Sequence, residues 1–413
     1  MKLTKKKPKM RTLTFSLGLA AWCLALGVQA GPLPRCGTCP LPEEKLEVKV
    51  TKKVNLDFKS VADLDVNVAN KYGTITLVPW AKDSVKMDVE ITARGQTKAE
   101  AERILERVDV RYTHGPTALN VNTDIRQQET AGNNSVTNTV QGLWNSITSS
   151  FNSTNKPTTS ATSGGATSSP DPSIDQHNLQ VHIRLQVPMG ARVDLDNRYG
   201  DVALAGPLKG RLELDIDYGN LRADHAIASG RISLKNGKAT LRSLLAGSLE
   251  AKYGTVQLAL GGDILLLANN SEVVLDSVGS LQLDTRYGQV QVGRAGTLGG
   301  KTYMTDLKLA GLAREGALEM QFGSLAAKGL RNNGAAFSVQ ASRTSVSLEL
   351  ANLADYQLEL TGRADQIEYP ARLGRVEAIK SAEWPNNGTV RGTVGAGKKN
   401  IKIVSRDGSI AVR

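Results

Sequence analysis

An aromatic residue followed directly by glycine recurs inside strand-like runs of this chain: Tyr72-Gly73, Tyr199-Gly200, Tyr218-Gly219, Tyr253-Gly254, Tyr287-Gly288 and Phe322-Gly323. A local turn needs such a pair once. Recurrence at a regular spacing constrains the whole fold. Between the pairs lie copies without the aromatic that keep the apolar-x-apolar pattern after it: "NGKATL" from Asn236, "NSEVVL" from Asn270 and "MTDLKL" from Met304. With these included, positions 199, 218, 236, 253, 270, 287, 304 and 322 follow one another at nearly even steps. "RTSVSL" from Arg343, "NGTVRG" from Asn387 and "DGSIAV" from Asp407 continue the idiom. A short unit repeated this often is the signature of a stacked array. No run between the copies has strong helical periodicity, so each unit reads as strand-turn-strand. The expected fold is all-β, a parallel β-solenoid of roughly 17-residue rungs, preceded by a β-rich part with one helix.

Alternation gives the pair a job. Val193 and Leu195 share the parity of Tyr199, as Leu281 and Leu283 share that of Tyr287. After the pair the apolar set changes phase, to Val202 and Leu204 or Val290 and Val292. Side chains alternate faces with period two, so a phase change needs an extra residue or a corner. Glycine can supply it through φ > 0 or a bulge. The pairs are therefore read as structural corners, with Tyr199 packing beside Tyr218, which weighs against Tyr-Gly as a binding motif. Acidic residues stand three places before the aromatic (Asp196, Asp215, Glu250, Asp284, Glu319) and basic ones directly before it (Lys71, Arg198, Lys252, Arg286). These are expected to form exposed rows of little stabilising value. The acidic row lacks the Gly- and Asp-dense nonapeptides of a calcium β-roll.

Residues 1–30 read as a secretory signal: a basic n-region, an apolar stretch from about Leu13 to Val28, and Val28-Gln29-Ala30 as a cleavage pattern, with cleavage after Ala30. Removing its six basic residues lowers the net charge from +11 to about +5, too mild for the alkaline composition to indicate nucleic-acid binding. Nothing later is apolar enough to span a bilayer. The expected location is the periplasm, the outer membrane or the cell surface. A Pro-rich leader, residues 31–45, holds Cys36 and Cys39 in "RCGTCPLP". No second cysteine pair completes a zinc site, so a local disulfide is expected in an oxidising compartment.

Residues 46–126 alternate as strands, except "GQTKAEAERILERVDV". There Thr97 and Glu100 form a capping box for a helix over 98–108. Residues 127–176 contain 29 Ser, Thr, Asn or Gly and four charged residues, a composition that cannot bury enough apolar surface to order itself. They are expected to be a disordered insertion, within which Val140, Leu143, Trp144, Ile147 and Phe151 share one helical face. The repeat domain is expected over 177–413.

Catalytic motifs are missing. The four histidines (His114, His177, His182, His225) are scattered, and acidic residues are spaced regularly instead of being paired for hydrolysis. No nucleophile elbow, zinc-protease motif or phosphate loop occurs. The expectation is a non-enzyme without cofactor or metal. "NKYGTITLVPWAKDSVKMDVEITARG" with "KAEAERILERV", the lead-in "NLQVHIRLQVPMGARVDLDNRYGDVAL", the Tyr-Gly rungs and the closing "SRDGSIAV" resemble a family of exported bacterial adhesin-like proteins with β-strand repeats. That family is a domain of unknown function related to the head GIN auto-transporter adhesin domains of Bacteroidetes-like bacteria. The resemblance implies a β-solenoid that binds an envelope or extracellular protein or glycan, and brings no catalytic residues. A periplasmic structural or signalling accessory is the alternative, and a carbohydrate-active solenoid enzyme a third.

Overall fold

The computed structural model describes residues 48–126, 177–330, 336–350, 352–380 and 386–413. The cleavage position after Ala30, the Cys36/Cys39 pair and the 127–176 insertion with its apolar helical face lie outside the described residues. Within them the protein is all-β with one α-helix, and 21 strands join one continuous hydrogen-bonded network.

The first elements are β1 (Val48–Lys59), β2 (Asp65–Lys71), β3 (Ile75–Trp80), β4 (Ser84–Gly95), α1 (Lys98–Glu106), β5 (Val108–His114) and β6 (Ala118–Ile125). β1 runs antiparallel to β4, and β5 to β6. Helix α1 starts as its sequence requires: the Thr97 hydroxyl accepts the Glu100 backbone N–H at 3.2 Å, and the Glu100 carboxylate accepts that of Gln96 at 2.8 Å. Its apolar side, Ala101, Ile104 and Leu105, is buried. The helix is shorter than the expected 98–108. The Arg107 N–H reaches back only to the Ile104 carbonyl, a tightened last turn, and Val108 already belongs to β5.

The middle of the chain comprises β7 (Leu179–Pro188), β8 (Arg192–Arg198), β9 (Val202–Leu204), β10 (Leu208–Asp217), β11 (Leu221–Lys235), β12 (Lys238–Lys252), β13 (Thr255–Leu309), β14 (Gly316–Ala327) and β15 (Ala336–Leu348). Each pass pairs in parallel with the next. Val193 stands opposite Leu212, Leu212 opposite Gly230, Gly230 opposite Gly247 and Gly247 opposite Ile264. The sequence period is therefore the pairing offset. Burial follows the phase change at each bend: Leu212, Leu214 and Ile216 are buried before Tyr218, and Leu221 and Ala223 after it. Aliphatic side chains of successive passes thus form one continuous core, with few buried aromatics such as Phe337 and Tyr356.

The expected boundary between residues 46–126 and 177–413 lies inside this network. β2 pairs in parallel with β8 (Asp65 opposite Arg192), and β3 with β9 (Ile75 opposite Val202). The Tyr72 pass is thus the neighbour of the Tyr199 pass, although β4, α1, β5 and β6 all intervene in sequence.

The last elements are β16 (Tyr356–Arg363), a 3-10 turn (Ala364–Gln366), β17 (Ile367–Glu368), β18 (Gly374–Lys380), β19 (Asn387–Val394), β20 (Asn400–Arg406) and β21 (Ile410–Val412). β20 and β21 pair in parallel with β15 on one side and with β16 and β17 on the other. β19 lies antiparallel between β16 and β18. Asn387 was expected to open another repeat unit. It instead starts β19 opposite Arg363, without positive φ, because this part of the chain is an antiparallel hairpin.

Candidate functional site: a bend column and an aromatic groove

Among the described residues, eleven non-glycine positions have positive φ, and every one is a bend of the repeat: Tyr72, Tyr199, Tyr218, Asn236, Tyr253, Asn270, Tyr287, Met304, Phe322, Arg343 and Asp407, all between 46° and 60°. The left-handed residue is thus the aromatic or its substitute, where glycine was expected to supply the phase change through positive φ or a bulge. Of the paired glycines, Gly323 alone also has positive φ. The bend turns the backbone so that a side chain of inward parity swings outward, and the next residue points in. Asparagine at positions 236 and 270 suits this conformation. An aromatic there carries a steric cost of about 1–2 kcal/mol that its surroundings must offset.

The glycine that follows has a different reason. A Cβ on Gly200 would overlap the carbonyl oxygen of Gly73. Gly219 meets Gly200 in the same way, Gly237 meets Gly219, and Gly288 meets Ser271. Each bend therefore sits directly on the backbone of the bend in the neighbouring pass. Three bends carry Ser271, Thr305 or Thr344 in the glycine position. Each residue is buried, and its hydroxyl donates to the carbonyl two residues back, at 2.8, 3.0 and 2.9 Å respectively. This substitution was missed in the sequence; the matching register was the signal that could have found it.

Two places before the bend, the inward position is Asn70 and Asn197 in the first two passes and aliphatic in most others. Asn70 Nδ2 donates to Asn197 Oδ1 at 2.9 Å, and Asn197 Nδ2 donates to the carbonyls of Gly73 and Gly200 at 3.2 and 2.8 Å. This buried ladder ties the first bend to the second.

The rings stand outside the core in two groups. Tyr72, Tyr199 and Tyr218 lie face to face, with centroids 5.3 Å apart at each step. Lys71 sits over the Tyr72 ring. Further along, Tyr303 meets Tyr287 at 5.6 Å and 82°, and Phe322 at 5.5 Å and 77°, both edge to face. Between the groups Tyr253 is 65% exposed.

The outward sheet face beside the column carries the expected charge rows. Arg198 lies 3.9 Å from Asp196 and 4.0 Å from Asp217, and Lys252 lies 3.0 Å from Glu250. The rows are uneven. Around Asp194, Asp196, Glu213 and Asp215 acidic side chains face one another across neighbouring strands. Partial burial holds the Asp194 and Asp196 carboxyls above their usual range, reinforced by the surrounding carboxylates. Glu250 is held below its usual range, chiefly by its hydrogen bond with Lys252.

Past the Asn270 bend the face sinks into an open groove of about 470 Å³, bordered by Asp284, Arg286, Tyr287, Lys301, Tyr303 and Glu319. Lys301 bonds Glu319 at 2.9 Å, and this contact, with Asp284 on the other side, raises the lysine pKa. A second groove near Ala295, Gly311 and Leu312 is lined mainly by small residues. Among the described residues no cluster of His, Cys, Asp or Glu is arranged to hold a metal ion, and no helix is long and apolar enough to cross a membrane.

No family model matches this chain, and no curated protein does. Among solved structures, a proposed cell adhesion protein from Clostridium sporogenes aligns at 10% identity over 88% of this chain and 99% of its own, with a TM-score of 0.17. A proposed adhesin from Bacteroides fragilis aligns at 10% identity over 87% and 96%, with a TM-score of 0.18. Likenesses this loose transfer no role to this chain.

Proposed function

We propose that the stacked passes close into a parallel β-solenoid that acts outside the cytoplasm as a non-enzymatic, adhesin-like binding protein. In this reading the Tyr-Gly pairs are its corners, and residues 65–80 supply its first rung. Residues 1–30 are the signal that exports it, and Cys36 and Cys39 pair in the leader. The observation that carries the reading is the bend column. Backbone conformation that is costly for an aromatic is kept at bend after bend, and the rings it holds face solvent instead of filling the core. A protein needing only a stable array could use Asn at every bend, as it does at Asn236 and Asn270. The resemblance of the Tyr-Gly rungs to the β-strand-repeat adhesin family supports the same reading. The test is protease shaving of intact cells, followed by pull-down of surface material with the purified protein. Cleavage on intact cells and retention of an envelope or extracellular component are expected. A protein that resists shaving yet is cut in lysed cells would overturn surface display and favour a periplasmic accessory.

A further inference from the structure

We propose that the groove between the Tyr287 and Phe322 bends is a saccharide site for an uncharged glycan; this rests on reading the protein as an extracytoplasmic binding array.

The groove lies where the repeat departs from its own pattern. One place before the bend, six of the eleven passes carry a basic residue (Lys71, Arg198, Lys235, Lys252, Arg286, Arg406), four carry Asp217, Asn269, Gln321 or Ser342, and this pass alone carries an aromatic, Tyr303. One pass therefore gains a ring, which stands in the lining of the groove beside Lys301, Glu319 and Gln321.

The ring's orientation is supported from both sides. Tyr287 and Phe322 meet Tyr303 at near-perpendicular angles from the two adjacent passes, contacts that favour its orientation beside the groove. An anchored aromatic face is a platform for the apolar C–H face of a sugar ring. The groups around it complement the rest of such a ligand. Asp284 and Glu319 accept hydrogen bonds, Arg286 and Lys301 donate them, and Gln321 does both. A hydroxyl that both donates and accepts can use either kind. The formal charges of these four ionised groups cancel. A strongly anionic ligand would meet Asp284 and Glu319, and a cationic one Arg286 and Lys301, so a neutral polyol is favoured over both. About 470 Å³ falls within the range of small-molecule sites, and the open rim suits a chain that continues past the groove.

The test is to screen the full-length protein on an array of neutral gluco-, galacto- and manno-oligosaccharides beside sialylated and polyuronic ones, then titrate the best binder by calorimetry. Neutral oligosaccharides should be retained. Tyr303→Ala should weaken them by about tenfold or more, and Tyr218→Ala, on the same column but outside the groove, should not. If Tyr303→Ala fails to fold by circular dichroism, Gln321→Ala decides. It removes one hydrogen-bonding side chain from the groove lining and leaves the rings in place, and should weaken binding severalfold. No retention of any saccharide, retention of acidic ones alone, or binding unchanged in these variants would overturn the proposal. Shaving separates the two readings. A surface-displayed protein that holds cells but no saccharide overturns only the glycan site, whereas saccharide binding by a protein never displayed overturns only the surface reading.

Discussion

The Tyr72–Tyr199–Tyr218 stack and the Tyr287–Tyr303–Phe322 cluster come from one repeat and do different things. In the first, rings occupy equivalent bend positions, lie parallel, and sit above a buried Asn70–Asn197 ladder beside an acidic sheet face. In the second, the middle ring has left the bend for the sheet face, Met304 takes its place, and the rings meet edge to face around a depression. Strict repetition makes a surface uniform, and uniform surfaces offer few distinguishable sites. A one-position change in one pass sets that pass apart without disturbing the pairing beneath it.

The largest expected effect bears on what the two regions share. Gly200→Val forces a Cβ and two methyls into the Gly73 carbonyl, and should cost about 3 kcal/mol or more in chemical denaturation. Thr305→Val fills the equivalent place in the second region. It loses the hydroxyl's bond to the Tyr303 carbonyl and a longer one, 3.4 Å, from the Thr285 hydroxyl, at a position already adapted to a side chain, so about 1–2 kcal/mol is expected. Equal losses would show that close bend stacking is not what requires glycine.

Next is the ladder unique to the first region. Asn197→Ala should cost about 2–3 kcal/mol, because it strands the Asn70 amide and the Gly73 and Gly200 carbonyls away from water. Hydrogen exchange should show the loss concentrated in the Tyr72 and Tyr199 passes. Uniform loss along the array would mean the ladder is not a local tie. Smaller again is ring truncation. Tyr199→Ala breaks two stacking contacts and should cost about 1 kcal/mol. Tyr253→Asn exposes no partner and relieves a strained bend, so its melting temperature should hold or rise slightly.

The smallest effect separates the charge patterns. Because the Asp196 carboxyl is raised in the folded protein, the folded state binds more protons than the unfolded one above the ordinary value of 3.8. Its contribution to stability therefore falls as pH rises through that window. Asp196→Asn should stabilise the protein at neutral pH, and the advantage should vanish as pH drops below the unfolded pKa. Glu250 is lowered, so its contribution is present above 4.5 and lost as pH falls through the folded value; Glu250→Gln should destabilise at neutral pH. Parallel pH profiles for the two variants would contradict the uneven charge rows.

Much of this architecture was legible because inward residues repeat. The bend positions from Tyr199 to Phe322 follow from spacing alone, and the parity change at each predicts which residues are buried. The location of positive φ was not legible, since glycine beside an aromatic is the usual candidate for it. Here glycine serves the close approach of two backbones, which only the stacked structure reveals. The neighbour of the Tyr72 pass was also hidden, because a partner so distant in sequence leaves no local pattern. The groove could be glimpsed only as an irregularity, Tyr303 standing where the other passes carry a charged or polar residue, and irregularity has no meaning until the period is known.

The placement of β20 and β21 between β15 and β16 has a consequence in time. Passes in the middle of the array need only the next repeat unit to pair, so they can form as the chain emerges. At the end, Asn400–Val412 must enter between strands made earlier, and until it does two parallel edges stay open. At the other end the Tyr72 pass waits for the far later Tyr199 pass, a closure about 2 kcal/mol costlier in loop entropy than that of one repeat. The array would thus zip from its middle and latch last at both extremities. A chain threaded across a membrane from its N-terminus would then stay unlatched, and pliable, until nearly all of it has crossed.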